Sequence, residues 1–141
     1  WSSDVCSSDL PGEVWIYTAA DPVDSAPRRA ALLALGVTVV DCPGAGGKVD
    51  LAAMLRDLAR REVNELHVEA GHKLNGSLLR EGLVDELLLY VAPRLLGDGA
   101  GLAALGPFTA LDQAPSYDFV DVQRVGPDLC IRARPPGRDR F

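Results

Sequence analysis

A chain of 141 residues, 48% hydrophobic and 24% charged, has the balance of one ordinary globular domain with enough apolar material for a core. A formal net charge of −6 and the lack of any basic run exclude nucleic acid as an expected partner. No window approaches about 18 consecutive apolar residues, so no membrane partner is expected. Three cysteines without a CxxC pair fit a reducing, cytoplasmic setting better than a disulfide framework or a zinc site.

Residues 1–10, Trp-Ser-Ser-Asp-Val-Cys-Ser-Ser-Asp-Leu, repeat Ser-Ser-Asp and carry neither an initiator Met nor the basic and then apolar pattern of a signal peptide. They read as a non-native, adapter-like leader ahead of a domain at 11–135, with a disordered tail at 136–141. The expectation is therefore a fragment whose natural chain begins upstream of Pro11. Val14 to Thr18 is a short run rich in aromatic and β-branched residues and predicts a buried strand. Ala19-Ala-Asp21-Pro22 breaks it. Pro27 suits a helix start, and Arg28 to Leu35 carry helix formers that stop at Gly36, a C′ glycine. Val37 to Val40 predicts a second strand, and Cys42 to Gly47 a loop.

Asp50 is placed to cap a helix in which Leu51, Met54, Leu55 and Leu58 form one apolar stripe. Arg56, Asp57, Arg60 and Arg61 fall mostly off that stripe and read as a solvated face. Leu66-His-Val-Glu69 predicts a third strand, with Leu66 and Val68 on one face and His67 and Glu69 on the other. Leu74, Leu78 and Leu79 mark a short helix ending near Gly82, and Leu87 to Ala92 is apolar on both faces, as a central strand is. Pro93 to Pro115 reads as loop. Phe119 to Val125 and Leu129 to Arg134, joined by Gly126-Pro127-Asp128, predict a β-hairpin. The fold class is α/β: a mixed sheet with parallel βαβ units and a C-terminal antiparallel hairpin.

Chemistry concentrates after the third strand. Ligands of open α/β sheets bind at the carboxyl ends of the strands, where Glu69 stands. Gly71 permits a positive φ or a close backbone approach, and the helix N-terminus behind it offers unpaired N–H groups to a phosphate, with Lys73 adding charge. The alternatives are that Glu69 caps the helix or pairs with His67, and that Gly71 and Gly76 serve packing. His72 reads as a surface residue of the first helical turn. His67-Val-Glu69 matches the H-x-E half of a zinc deaminase signature but lacks its P-C-x-x-C half, so no metal is expected. Gly44 to Lys48 fails the P-loop pattern twice, at Cys42 and at Val49, and there is no G-x-S-x-G elbow.

The order Val68-Glu-Ala-Gly71, Gly76-Ser-Leu-Leu79, Gly82-Leu-Val-Asp-Glu-Leu87, Tyr90-Val-Ala-Pro93 and Leu95-Leu-Gly97 closely resembles the reductase domain of the bifunctional riboflavin-biosynthesis deaminase/reductase. The likeness extends over about residues 12–135. It takes in the strand end at Thr18, the helix at Arg28, the Val49-Asp50-Leu51 step and the closing hairpin.

The resemblance implies a dihydrofolate-reductase-like fold and the reduction of 5-amino-6-(5-phosphoribosylamino)uracil by NADPH. Hydride passes to C1 of the opened, imine-like ribose. It implies Glu69 in the substrate pocket, and Gly71, His72, Lys73, Leu74, Asn75, Gly76 and Ser77 around the NADPH phosphates, with Thr18 a further cofactor contact. It names no activated catalytic nucleophile, because the cofactor carries the chemistry. It also implies a homodimer. Ala70 replaces the first of two family glycines, and His72 and Lys73 take positions usually small or variable. Nothing in residues 1–13 matches the family's S-L-D-G segment, and the zinc deaminase domain is missing, so this fragment is expected to lack part of the site and to be inactive alone. The rival reading is a non-catalytic nucleotide-binding α/β module of the phospho-receiver kind, for which Asp21 is a poor match to the acidic pair required.

Overall fold

The computed structural model describes residues 12–138; the expected leader at 1–10 lies outside them. The chain divides into two compact units, one through Leu66 and one from His67 onward.

The first unit is built on a single βαβ crossover. Strand β1 (Trp15–Thr18) lies parallel to β2 (Thr38–Asp41), with Trp15 opposite Thr38 and Thr18 opposite Asp41. Helix α1 (Ala26–Ala34) joins them, with Pro27 in its first turn. It ends as its sequence predicts: Gly36 has φ +78, its amide bonds Leu33 O, and the Val37 amide bonds Leu32 O. This is the paired closure of a Schellman motif, and the positive φ is what makes glycine the suited residue. An ion pair from Arg29 to Asp41 ties the helix to the end of β2.

Helix α2 (Leu51–Arg60) is capped by Asp50, whose side chain accepts from the Ala53 amide at 2.8 Å. Leu51 and Leu58 of the apolar stripe are buried, and Met54 and Leu55 are half-buried. The opposite face is less solvated than its composition predicts. Asp57 accepts a 2.8 Å hydrogen bond from the Tyr17 hydroxyl and a 2.7 Å one from Arg61 Nε, while Arg61 stacks over Trp15 at 5.1 Å. The charged face thus fastens α2 to β1.

The expected third strand does not form. Residues 66–69 are not a strand; among the described residues they have no ladder partner. An alternating pattern specifies which way side chains point, but a strand also needs a neighbour to bond, and here Leu66 and Val68 remain exposed. Helix α3 (His72–Arg80) follows, closed at Gly82 (φ +65) by the same Schellman pair, from the Gly82 amide to Leu79 O and from the Leu83 amide to Leu78 O. Leu78 is buried, whereas Leu74 of the expected apolar face is exposed.

Strands β3 (Leu87–Val91), β4 (Asp118–Val125) and β5 (Asp128–Arg134) form an antiparallel sheet in the order β3-β5-β4. The expected hairpin is present. Val125 pairs with Asp128 across Gly126-Pro127, with Gly126 at φ +61 in the first central turn position, and Val120 makes a bulge between the Phe119 and Asp121 pairings. The expectation for β3 is overturned: it is an edge strand, antiparallel to β5, and not a central strand in a parallel series. Its two-sided apolar character leaves Leu88, Tyr90 and Val91 exposed. Cys130 and Ala133 of the middle strand are buried, and Cys42 and Cys130 are free thiols in the interior, as small apolar residues are. The long stretch before β4 is irregular apart from one 3-10 turn at Leu111–Gln113. The described chain is therefore mixed α/β, with one parallel pair and one antiparallel three-stranded sheet.

Candidate functional site

Glu69, Gly71 and the first turn of α3 are consecutive in the second unit, and both Glu69 and Gly71 are exposed. The N-cap of α3 is Gly71, so no side chain closes the helix, and Glu69 is excluded as its cap. The Leu74 and Asn75 amides bond back to Gly71 O. The amides of the first turn before them have no partner within a helix, and they carry the positive end of its dipole. Of the two roles open to Gly71, the positive φ is not used: its φ is −75 and ψ 163. The glycine matters here for space, since a Cβ built on it meets nothing within 4 Å. Gly71, His72, Lys73 and Leu74 line a shallow, widely open recess at this helix end. Lys73 is exposed beside it and His72 half-buried.

Glu69 points into solvent, with 86% of its side chain exposed, and its Oε1 lies 3.4 Å from Nε2 of His67. The alternation read from the sequence does bring these two side chains to one face. Thr18 lies in the first unit, at the end of β1, where its hydroxyl accepts from the Ala20 amide at 2.9 Å.

The rest of the expected phosphate loop is occupied with internal contacts. Nδ2 of Asn75 donates to Ala70 O at 3.2 Å and to Leu102 O at 3.1 Å. Ser77 Oγ donates to Lys73 O at 3.2 Å and accepts from Arg80 Nη2 at 3.1 Å. Gly76 is buried, and a Cβ there would sit 2.7 Å from the Ala104 amide nitrogen and closer still to its carbonyl oxygen. The Ala104 amide in turn donates to His72 O at 2.8 Å, and Arg80 Nη1 donates to Ala104 O. Arg80 was not visible as a site residue in the sequence, because its partner lies 24 residues away in a stretch without periodicity.

A larger recess of about 440 Å³ lies at the other end of α3, lined in part by Leu79, Arg80, Phe108, Asp112 and Pro115. Its cation, Arg80, is already bonded to Ala104 and Ser77. It offers an anion less than the uncapped helix end does. Among the described residues no cluster of three or more His, Cys, Asp or Glu side chains is arranged to hold a metal, and no helix is long and apolar enough to cross a membrane.

The chain resembles known proteins in sequence and fold. The family model described as the RibD C-terminal domain matches residues 7–131. The riboflavin biosynthesis protein RibD of Escherichia coli K12 is 37% identical over 122 residues, which is 86% of this chain and 31% of that protein. A 5-amino-6-(5-phosphoribosylamino)uracil reductase of Buchnera aphidicola from Acyrthosiphon pisum is 32% identical over 89 residues, 62% of this chain and 43% of the relative. The structure of Acinetobacter baumannii RibD in its second form superposes with a TM-score of 0.71 at 24% identity, covering 95% of this chain and 35% of that one. The chain thus spans 31% of the Escherichia coli protein and 35% of the Acinetobacter baumannii one, about a third of each. It belongs to the RibD C-terminal domain family.

Proposed function

We propose that this chain is part of an NADPH-dependent 5-amino-6-(5-phosphoribosylamino)uracil reductase of riboflavin biosynthesis, with the dihydrofolate-reductase-like fold that the family resemblance implies. The observation that carries the reading is the uncapped N-terminus of α3. Its free amides, the adjacent Lys73 ammonium and the open space before Gly71 together suit a phosphate-bearing cofactor. Family membership supports the substrate, since a matching relative bears that reductase's name.

In this reading NADPH, when bound, supplies the hydride that reduces C1 of the opened ribose. The amides of His72 and Lys73 hold its phosphate, and Gly71 and Leu74 shape the approach. Asn75, Gly76 and Ser77 stand behind this contact surface. Thr18 is proposed as a further cofactor contact. Glu69 takes the substrate: an exposed carboxylate accepts hydrogen bonds from ribose hydroxyls or pyrimidine N–H groups and orients the carbon to be reduced.

The same reading places the protein in the cytoplasm as a homodimer. Two free thiols support the compartment. The dimer is supported by one face of the antiparallel sheet, where the register sets Val91, Leu129, Val122 and Phe119 on the same side, each at least 41% exposed.

The test is a fluorescence titration of the chain with NADPH, with thermal melting beside it. Saturable binding and a raised melting temperature are expected, while cooperative melting with no shift would point to a module that does not use this cofactor.

A further inference from the structure

We infer that Asn75, Gly76 and Arg80 are positioning residues that aim the N-terminus of α3 by clamping it to the segment 102–105, and do not themselves touch the cofactor. The inference rests on the reading of that helix end as the NADPH phosphate site.

Three contacts converge on a short stretch of backbone. Asn75 bridges Leu102 O to Ala70 O, so one side-chain amide joins the incoming segment to the residue just before the helix. Gly76 is the position at which α3 has no Cβ, and Ala104 lies in the space a Cβ would take. That close approach lets the Ala104 amide reach His72 O at 2.8 Å, in the first turn itself. Arg80 closes the other side by donating to Ala104 O and to Ser77 Oγ.

The two donors of Asn75's amide nitrogen are directed at carbonyls, and Gly76 is buried under Ala104, so neither faces the recess lined by 71–74. What they fix is the backbone at Ala70 and His72, on either side of Gly71. A helix end binds an anion through amides whose directions are set by the backbone, so a displacement there weakens the site without removing any contact atom.

Arg80 gives the sharpest test. It stands eight residues beyond His72, about 12 Å along the helix axis, too far to touch a phosphate at the N-terminus. In Arg80→Met the NADPH dissociation constant of the chain should rise about three- to tenfold. Hydrogen exchange at the Ala104 amide should speed up in the absence of cofactor, with helix content retained by circular dichroism. Arg80→Lys, which keeps a donor for Ala104 O, should recover part of the affinity. Asn75→Leu should weaken binding similarly, and the double variant should lose less than the product of the two effects, because both act through one segment.

Unchanged affinity in Arg80→Met alongside faster exchange at Ala104 would overturn the inference and show the clamp to be structural only. Gly71→Val is the control for the site itself: if it weakens binding while Arg80→Met does not, the phosphate site stands and the clamp's role falls. If wild-type chain binds no NADPH, or Gly71→Val binds it equally well, the site reading falls and takes the inference with it.

Discussion

The Tyr17 hydroxyl donates a 2.8 Å hydrogen bond to Asp57, 40 residues along the chain, and so fastens β1 to α2. Asp57 is the hub of this contact. The Arg61 guanidinium, first, and then the Tyr17 hydroxyl hold its carboxyl down at about 2, against an ordinary 3.8. Burial, and next the hydrogen bond to Asp57, push the Tyr17 phenol up from 10.0.

The signs set two pH windows. A depressed folded pKa at Asp57 means that its contribution is complete above about 3.8 and is lost as pH falls toward 2. Wild type should therefore lose stability between pH 4 and pH 2 more steeply than Asp57→Asn, measured by urea midpoints across that range. The raised pKa of Tyr17 acts oppositely: its contribution is complete below pH 10 and fades above. Tyr17→Phe, which keeps the ring and removes the hydroxyl, should cost about 0.5 to 1 kcal/mol at neutral pH and flatten the alkaline limb. Equal midpoints for wild type and both variants at every pH would show the contact to be idle.

Much of the local architecture was legible in sequence because it rests on neighbours within a few residues. Asp50 caps α2, Gly36 and Gly82 end α1 and α3 in the left-handed conformation, and Gly126-Pro127 turns the hairpin. What failed was non-local. Among the described residues, 66–69 alternate properly yet have no strand beside them, and Leu87 to Val91 is apolar on both sides yet lies at a sheet edge. Periodicity fixes the direction of side chains and says nothing about which chain arrives alongside. The site divides the same way. The helix N-terminus behind Glu69 was visible in a run of ten residues, while the contacts of Asn75, Gly76 and Arg80 with 102–105 depend on a stretch that has no pattern of its own.

The end of α2 repeats the Schellman closure without a glycine. Glu62 sits at φ +65, with its amide on Ala59 O and the Val63 amide on Leu58 O. A side chain in the left-handed region costs about 1 to 2 kcal/mol, partly offset by the greater freedom glycine loses on folding. Glu62→Gly should therefore stabilise the chain by about 0.5 to 1 kcal/mol, with Glu62→Asn between the two. A urea series with unchanged slope would read this directly, and a lower midpoint for Glu62→Gly would contradict it.

Two glycines of one motif should respond in opposite ways. Gly71→Ala puts a methyl into open space at φ −75, so folding stability should change by less than about 0.5 kcal/mol. Gly76→Ala drives a Cβ into the backbone of Ala104, which cannot rotate aside as a side chain would, and should cost about 1 to 3 kcal/mol. NADPH affinity separates them further: Gly71→Ala should weaken binding in a protein of native stability. Native stability in Gly76→Ala would mean that Gly76 is not in contact with 102–105.

Glu69 is the residue on which the substrate reading turns. Its carboxylate is exposed and meets His67 Nε2 at 3.4 Å, too loose a contact to hold it for structural reasons alone. Glu69→Gln preserves shape and removes charge, so stability should be nearly unchanged. In the intact reductase the loss of a charged hydrogen bond to substrate should lower kcat/KM about 10- to 100-fold. Affinity for NADPH should stay within about twofold, since the helix amides proposed to hold its phosphate lie beyond Gly71 and do not involve this side chain. The measurement is the fall in NADPH absorbance under steady-state conditions, alongside direct cofactor binding. Full turnover in Glu69→Gln would remove this residue from the substrate pocket, and a parallel loss of cofactor affinity would move it to the cofactor side of the site.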